Sequence, residues 1–138
     1  MTWRYVAGFL FCGDRVALIE KLKPAWQKGK LNAIGGKIEE GESPLTAMDR
    51  EFEEEALAHH ISQDDWEQYA IIRNFKVGYE VHFFRAFTDT EDGVMSMTEE
   101  KVDWYPVNDL PDNVIPNLRW LIPMALDKDL KVPTEIED

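Results

Sequence analysis

Residues 3–12, WRYVAGFLFC, are almost entirely apolar or aromatic, and Gly13-Asp14 bounds them. A short continuous apolar run closed by a turn signal predicts a buried strand. Residues 15–20, RVALIE, predict the returning strand of a hairpin. A loop with four lysines follows over residues 21–30. A short strand over 31–34 then runs into Gly35-Gly36 and a polar KIEEGE loop. Ser43-Pro44 marks a helix start, because serine caps well and proline suits a first-turn position that needs no donor. Leu45, Met48, Phe52 and Ala56 recur at three- and four-residue steps, so this helix carries one apolar stripe and is expected to end near Ala58-His59-His60. Residues 66–76 and 79–88 predict two strands around a Val77-Gly78 turn, and 102–107 another. Residues 117–126 predict a second helix, interrupted or ended early by Pro123.

Strands and helices mix without regular β-α alternation, which predicts an α+β fold. At 138 residues and 44% hydrophobic, the chain has the size and apolar content of one packed domain, residues 1–138. No segment is long and apolar enough to span a membrane, and the first apolar run reads as a strand and not as a signal peptide. The lone Cys12 cannot form an internal disulfide, so a reducing cytoplasm is the expected compartment. A net charge of −12 argues against binding a nucleic acid polymer, though not against a small phosphorylated ligand bound through divalent cations.

One acidic cluster departs from what stability alone would select. Glu51, Glu54 and Glu55 fall at i, i+3 and i+4, so their carboxylates share a helix face. They also lie in the second half of the helix, where the macrodipole disfavours negative charge. A hard cation such as Mg²⁺ resolves both conflicts, since it takes oxygen ligands and keeps waters that phosphate can replace. The alternative is a solvated acidic face.

The spacing of the whole segment resembles the Nudix box, G-x5-E-x7-R-E-U-x-E-E-x-G-U, where U is a bulky apolar residue. Gly36, Glu42, Arg50, Glu51, Phe52, Glu54 and Glu55 stand in register, with the box at about 36–58. The six fixed letters match by chance on the order of 10⁻⁶ per start point. Leu57 replaces the final glycine and Ala58 the last apolar position, which predicts a different helix exit with the chemistry intact. The resemblance implies an α/β/α sandwich with a mixed sheet and a catalytic helix after a Gly-rich loop. It implies Mg²⁺ (or Mn²⁺) held by Glu51, Glu54, Glu55 and the Gly36 carbonyl, with Glu42 and Arg50 bracing loop against helix. It further implies in-line attack of activated water on phosphorus. Glu99 and Glu100 then stand as a further ligand, a general base or a plain acidic loop.

Two weaker likenesses bear on substrate. Leu31-Asn32-Ala33-Ile34-Gly35-Gly36-Lys37 is similar to the W-N-x-x-G-G-K stretch of MutT-type purine nucleoside triphosphate hydrolases. That likeness implies base contact by Asn32 and substrate contact by Lys37. Residues 115–120 resemble the base-reading segment of oxidised-purine triphosphatases, which makes Asn117 a second candidate. A helix N-cap is the other reading of Asn117. The expected activity is therefore hydrolysis of a purine or oxidised purine nucleoside triphosphate to monophosphate and pyrophosphate, by a monomer or homodimer. Hydrolysis of another nucleoside diphosphate-linked compound, or nucleotide sensing without catalysis, are the alternatives. The marks of ADP-ribose and dinucleoside polyphosphate hydrolases are missing or out of register: no proline lies between Pro44 and Pro106, and Tyr79 is misplaced. The lysines of 21–30 either reach phosphate or form a solvated loop, and Trp26 or Trp120 is a candidate border for a base pocket. His59 and His60 suit a helix C-terminus better than a zinc site.

Overall fold

The computed structural model describes residues 2–138. The apolar run forms β1 (Trp3–Cys12), the hairpin return β2 (Arg15–Glu20), and the glycine stretch β3 (Leu31–Asn32) and β4 (Ile34–Lys37). Helix α1 (Pro44–Glu55) follows. Then come β5 (Glu67–Asn74), β6 (Tyr79–Thr88), β7 (Val102–Pro106), α2 (Leu118–Leu126) and β8 (Thr134–Glu137). All eight strands join one mixed sheet in the order β3-β2-β1-β6-β5-β8, with β4 also on β1 and β7 on β2. Its centre is the parallel β1–β6 ladder, in register from Trp3↔Tyr79 to Cys12↔Thr88. This is the expected α+β architecture, an α/β/α sandwich.

Alternation along β1 divides the core. Val6 and Leu10 face a cluster that includes Met48 and Phe52 of α1, Trp66 and Phe84. Phe9 and Phe11 face the opposite cluster, with Tyr69, Phe83 and the α2 residues Leu118, Leu121 and Ile122. Helix α1 lies close to the sheet because Gly8 has no side chain. A Cβ there would meet Met48 Cε at 2.6 Å and the Trp66 ring at 2.9 Å. Trp66 in turn packs edge-on against Phe52, ring centroids 5.3 Å apart. Among the described residues no helix is long and apolar enough to cross a membrane.

Several element boundaries differ from the sequence expectation. Pro123 neither ends nor interrupts α2, which runs on to Leu126. The carbonyl that loses its partner belongs to Arg119, an exposed residue, whereas Leu121, Ile122 and Ala125 are buried. From the sheet, the Tyr69 hydroxyl donates to the Leu121 carbonyl at 2.9 Å, and Arg85 Nη1 donates to the Ala125 carbonyl at 3.2 Å. Strand β8 carries no long apolar run to announce it. It forms by parallel pairing with β5, Ala70↔Thr134 to Arg73↔Glu137.

Helix α1 ends at Glu55, earlier than expected, and His59 and His60 lie beyond it. At its exit Leu57 takes a positive φ of 27°. Both Ala56 and Leu57 direct their N–H groups to the Phe52 carbonyl, at 2.8 and 3.1 Å. Leu57 therefore sits in the left-handed region that favours glycine, and its Cβ strains against its own backbone. Leu57→Gly is expected to be more stable than Leu57→Ala by about 1 kcal/mol in urea unfolding, since both lose the side chain and only glycine relieves the strain. The reverse order, alanine above glycine as helix propensity dictates, would remove the left-handed assignment.

Candidate active site

The site is assembled from the second half of α1 and the loop before the helix. Ser43 Oγ accepts the Thr46 N–H at 3.1 Å and Pro44 opens the first turn, which fixes where the helix begins. Two turns on, Arg50 lies among carboxylates. Its Nε and Nη2 clasp Glu42 at 2.7 and 2.8 Å. Nη2 also reaches the Lys37 carbonyl at 3.0 Å, and Nη1 reaches Glu51 at 2.9 Å. Glu42 also accepts the Glu39 N–H at 2.8 Å. The hydrogen bonds from Arg50, then that backbone donor, hold Glu42 down at about 2. The pairing expected between Glu42 and Arg50 is thus bidentate and ties the KIEEGE loop to the helix.

Glu51, Glu54 and Glu55 do share one face, but not equally. Glu54 is exposed and leans on Arg50 at 3.4 Å. Glu51 and Glu55 turn inward and meet. Burial first, then the hydrogen bond and charge of Glu51, push Glu55 up to about 8. Glu55 Oε2 is buried without a hydrogen-bond partner. Gly36 provides the other wall: a Cβ there would lie 2.5 Å from the Glu51 carboxyl carbon, so only glycine lets the β4 backbone come this close. A buried, unpartnered carboxylate oxygen beside a second carboxylate and a bare backbone is a donor set that fits a hard divalent cation. Among the described residues no three acidic, histidine or cysteine side chains already converge as a cage. Glu54 instead contacts Arg50 at 3.4 Å.

The two later glutamates separate. Glu99 is exposed. Glu100 is largely enclosed, and accepts the Leu22 N–H at 2.7 Å and Lys21 Nζ at 3.0 Å. Burial works to raise its pKa, but these donors together bring it below the usual carboxylate range. Lys21 and Glu100 both act electrostatically on Glu55, in opposite senses. Nothing in the sequence distinguished Lys21 from the other lysines of its loop. The β2–β7 pairing, which brings Ile19 opposite Val102, carries it to Glu100.

Beside the carboxylates lies a cleft of about 610 Å³. Tyr5, Ala7, Tyr79 and Val81 belong to its lining, as do Trp26 and Gln27 of the loop before β3. Lys21, Asn32, Gly36 and Lys37 line it too. Trp26 therefore borders the cleft, whereas Trp120 does not. The Lys37 ammonium sits over the Trp3 ring, 4.8 Å from its centroid. Asn32 is committed internally: Oδ1 accepts the Ala33 N–H at 2.8 Å, and Nδ2 donates to Gln27 Oε1 at 3.0 Å. Asn117 begins α2 without a side-chain capping bond and is not part of the cleft lining. His60 pairs with Thr88 Oγ1 at 3.2 Å, and His82 is buried in β6, bonded to Glu80 and Gln68.

Residues 1–124 match the family model described as NUDIX domain. No curated protein matches the chain. Solved structures of the same fold include a MutT/nudix family protein from Enterococcus faecalis, 23% identical with a TM-score of 0.66. That match covers 77% of this chain, which spans only 44% of that protein's length. A mutator MutT protein from Bacillus halodurans is 24% identical over 92% of this chain and 84% of its own, TM-score 0.67. The NUDIX domain of Shewanella oneidensis NrtR, solved with ADP ribose, is 19% identical over 91% and 87%, TM-score 0.73. At these identities the structures speak for the fold, and the family model speaks for the lineage. With the box residues and the sheet around them in place, the chain belongs to the Nudix hydrolase family.

Proposed function

We propose that the chain acts as a single Nudix domain that hydrolyses the phosphoanhydride of a purine or oxidised purine nucleoside triphosphate, giving the monophosphate and pyrophosphate. The observation that carries this reading is the buried, unpartnered Glu55 Oε2 beside Glu51 and the Gly36 backbone, opening next to an aromatic cleft. Glu51, Glu54, Glu55 and the Gly36 carbonyl hold a divalent cation, Mg²⁺ or Mn²⁺. Such a cation supplies Lewis acidity toward phosphate oxygens and lowers the pKa of water. Arg50 and Glu42 fix the loop against the helix, so the Gly36 carbonyl and the glutamates keep their spacing. Glu100, whose charge acts on Glu55 while Glu99 is exposed, is the better placed of its pair beside the carboxylates. Lys37 and Lys21, both on the cleft, meet the phosphates. Asn117, off the cleft, is not assigned a substrate contact. The two lysines on the cleft favour a triphosphate, and a diphosphate-linked compound such as ADP-ribose is the competing substrate class.

Purified protein with Mg²⁺, tested against canonical and oxidised nucleoside triphosphates and ADP-ribose, is expected to release pyrophosphate from the triphosphates. Release only from ADP-ribose would transfer the assignment to that class. Glu54→Gln keeps side-chain size and one ligand oxygen but removes a charge, and is expected to lower kcat at least ~10²-fold with the fold intact. Glu53 is one residue away and exposed on a different face, beside Asp49, and Glu53→Gln should stay near wild type. Equal losses in the two variants, or none in either, would remove the roles given to this helix.

Cation binding relieves carboxylate repulsion, so Mg²⁺ at 100 times Kd should stabilise the fold by about 2.7 kcal/mol. Thermal melting of wild type and Glu54→Gln, with and without the ion, checks this. The same shift in both would locate the ion elsewhere.

The Glu42–Arg50 clasp predicts an acid dependence. The folded state lowers Glu42 from 4.5 to about 2, so it binds fewer protons than the unfolded state over that interval. Its contribution is complete above about pH 4.5 and declines as pH falls towards 2. Glu42→Gln should therefore be less stable than wild type near neutral pH, with the gap narrowing below pH 4.5 in urea titrations. A gap that stays constant down to pH 3 would mean that the carboxylate charge is not what Arg50 holds.

A further inference from the structure

The loop before β3 was legible only as basic, yet its lysines from 23 to 30 are all exposed. The side chain that turns inward is neutral. Gln27 is half-buried and lines the cleft beside Trp26, a residue 64% exposed. The loop is a short 3-10 turn, Ala25–Gln27, closed by the Gln27 N–H to Pro24 and the Lys30 N–H to Gln27. Those bonds hold the Trp26-Gln27 pair as a fixed wall facing Tyr5, Tyr79 and Val81.

The polarity of that wall follows from one backbone donor. The Ala33 N–H can only donate, so the Asn32 atom it meets at 2.8 Å is the oxygen, Oδ1. The other end of Asn32 is then Nδ2, a donor, and its partner on Gln27 at 3.0 Å must be the acceptor Oε1. What remains of Gln27 is Nε2, a pure donor. Among the described residues it gives its hydrogens to no protein group. The chain Ala33 → Asn32 → Gln27 thus runs one way and leaves an amide N–H at the cleft.

We propose that Gln27 is the specificity-determining residue of the cleft. Its Nε2–H selects a base bearing a ring carbonyl over one bearing an amino group, while Trp26 stacks on the base and Asn32 fixes the orientation of Gln27. The proposal rests on the reading of the site as a nucleotide hydrolase and adds the base class to it. Guanine offers O6 as acceptor where adenine offers N6–H₂, a donor that would face the Gln27 donor with no partner. A carbonyl on the same edge survives oxidation of guanine at C8, so Gln27 does not separate oxidised from ordinary guanine. Asn32, spent on Ala33 and Gln27, acts on the base through Gln27 and is a positioning residue.

Two measurements test this. The first is the ratio of kcat/KM for GTP over ATP in wild type, Gln27→Glu and Gln27→Ala. Gln27→Glu keeps the acceptor for Asn32 and turns the free donor into an acceptor. It is expected to lower the ratio by about tenfold or more, with Gln27→Ala intermediate. Trp26→Ala should raise KM about tenfold for both nucleotides and leave the ratio unchanged. The second is calorimetric binding of GMP and AMP without metal, in the same proteins. Here wild type should favour GMP, and Gln27→Glu should lose or reverse that preference. Turnover whose base ratio ignores both Gln27 substitutions overturns the assignment of Gln27 and leaves the hydrolase reading standing. A Gln27-dependent preference for GMP without hydrolysis of any nucleotide overturns the hydrolase reading and leaves the base assignment standing. Neither binding nor turnover overturns both.

Discussion

A single guanidinium organises the carboxylate-bearing face of α1. Arg50 bonds to Glu42, to Glu51, to Glu54 and to the Lys37 carbonyl, and so spans the end of β4, the loop after it and the last two turns of α1. Without a cation of this kind, the loop and helix would present several carboxylates to one another with nothing between them. Its planar fork can meet two oxygens of Glu42 while its third nitrogen addresses Glu51, which an ammonium could not do from one position. The carboxylates are thereby crowded together and held in order by one cation.

The sheet divides the remaining work. Helix α1 packs on one face, through Met48 and Phe52, and the cleft opens over the other, where Tyr5 and Val81 lie on the same strand faces as Phe9 and Phe83. Gly36 joins the two. Its backbone belongs to the cleft lining, and the space where its side chain would be is filled by the Glu51 carboxyl. Gly35 secures the same strand from behind, since a Cβ there would run into the Val6 carbonyl at 2.0 Å. The carboxylates and the cleft are therefore one backbone thickness apart.

Much of this was legible in the chain, and the reasons for the rest are physical. The long strands β1, β2 and β6 are announced by apolar runs, and the start of α1 by Ser43-Pro44, because these signals are local. The box residues were legible because their spacing is fixed by contacts within one loop and one helix. Long-range effects were not. Pro123 is carried by packing and by Tyr69 and Arg85, which no local signal reports. Strand β8 exists through its partner β5. Leu57 adopts a backbone region that leucine avoids, because the surrounding chain demands the turn. The distinction between Glu99 and Glu100, and the inward turn of Gln27 among exposed lysines, depend on which strand lies alongside, and spacing is silent on that.

The loop between β6 and β7 is bonded to the end of α1 through its backbone. The Met95 N–H reaches the Ala56 carbonyl at 3.0 Å, and the Met97 N–H reaches the Glu55 carbonyl at 3.1 Å. These bonds take up carbonyls that a helix end leaves open. They also measure out the chain: only two residues separate Met97 from Glu100, whose carboxylate acts on Glu55. This segment works as a ruler laid from the helix terminus to an acid just before β7. In such a stretch length matters more than identity. Homologous chains should tolerate many substitutions between residues 95 and 100 but few insertions, because one added residue displaces a charge and not merely a loop.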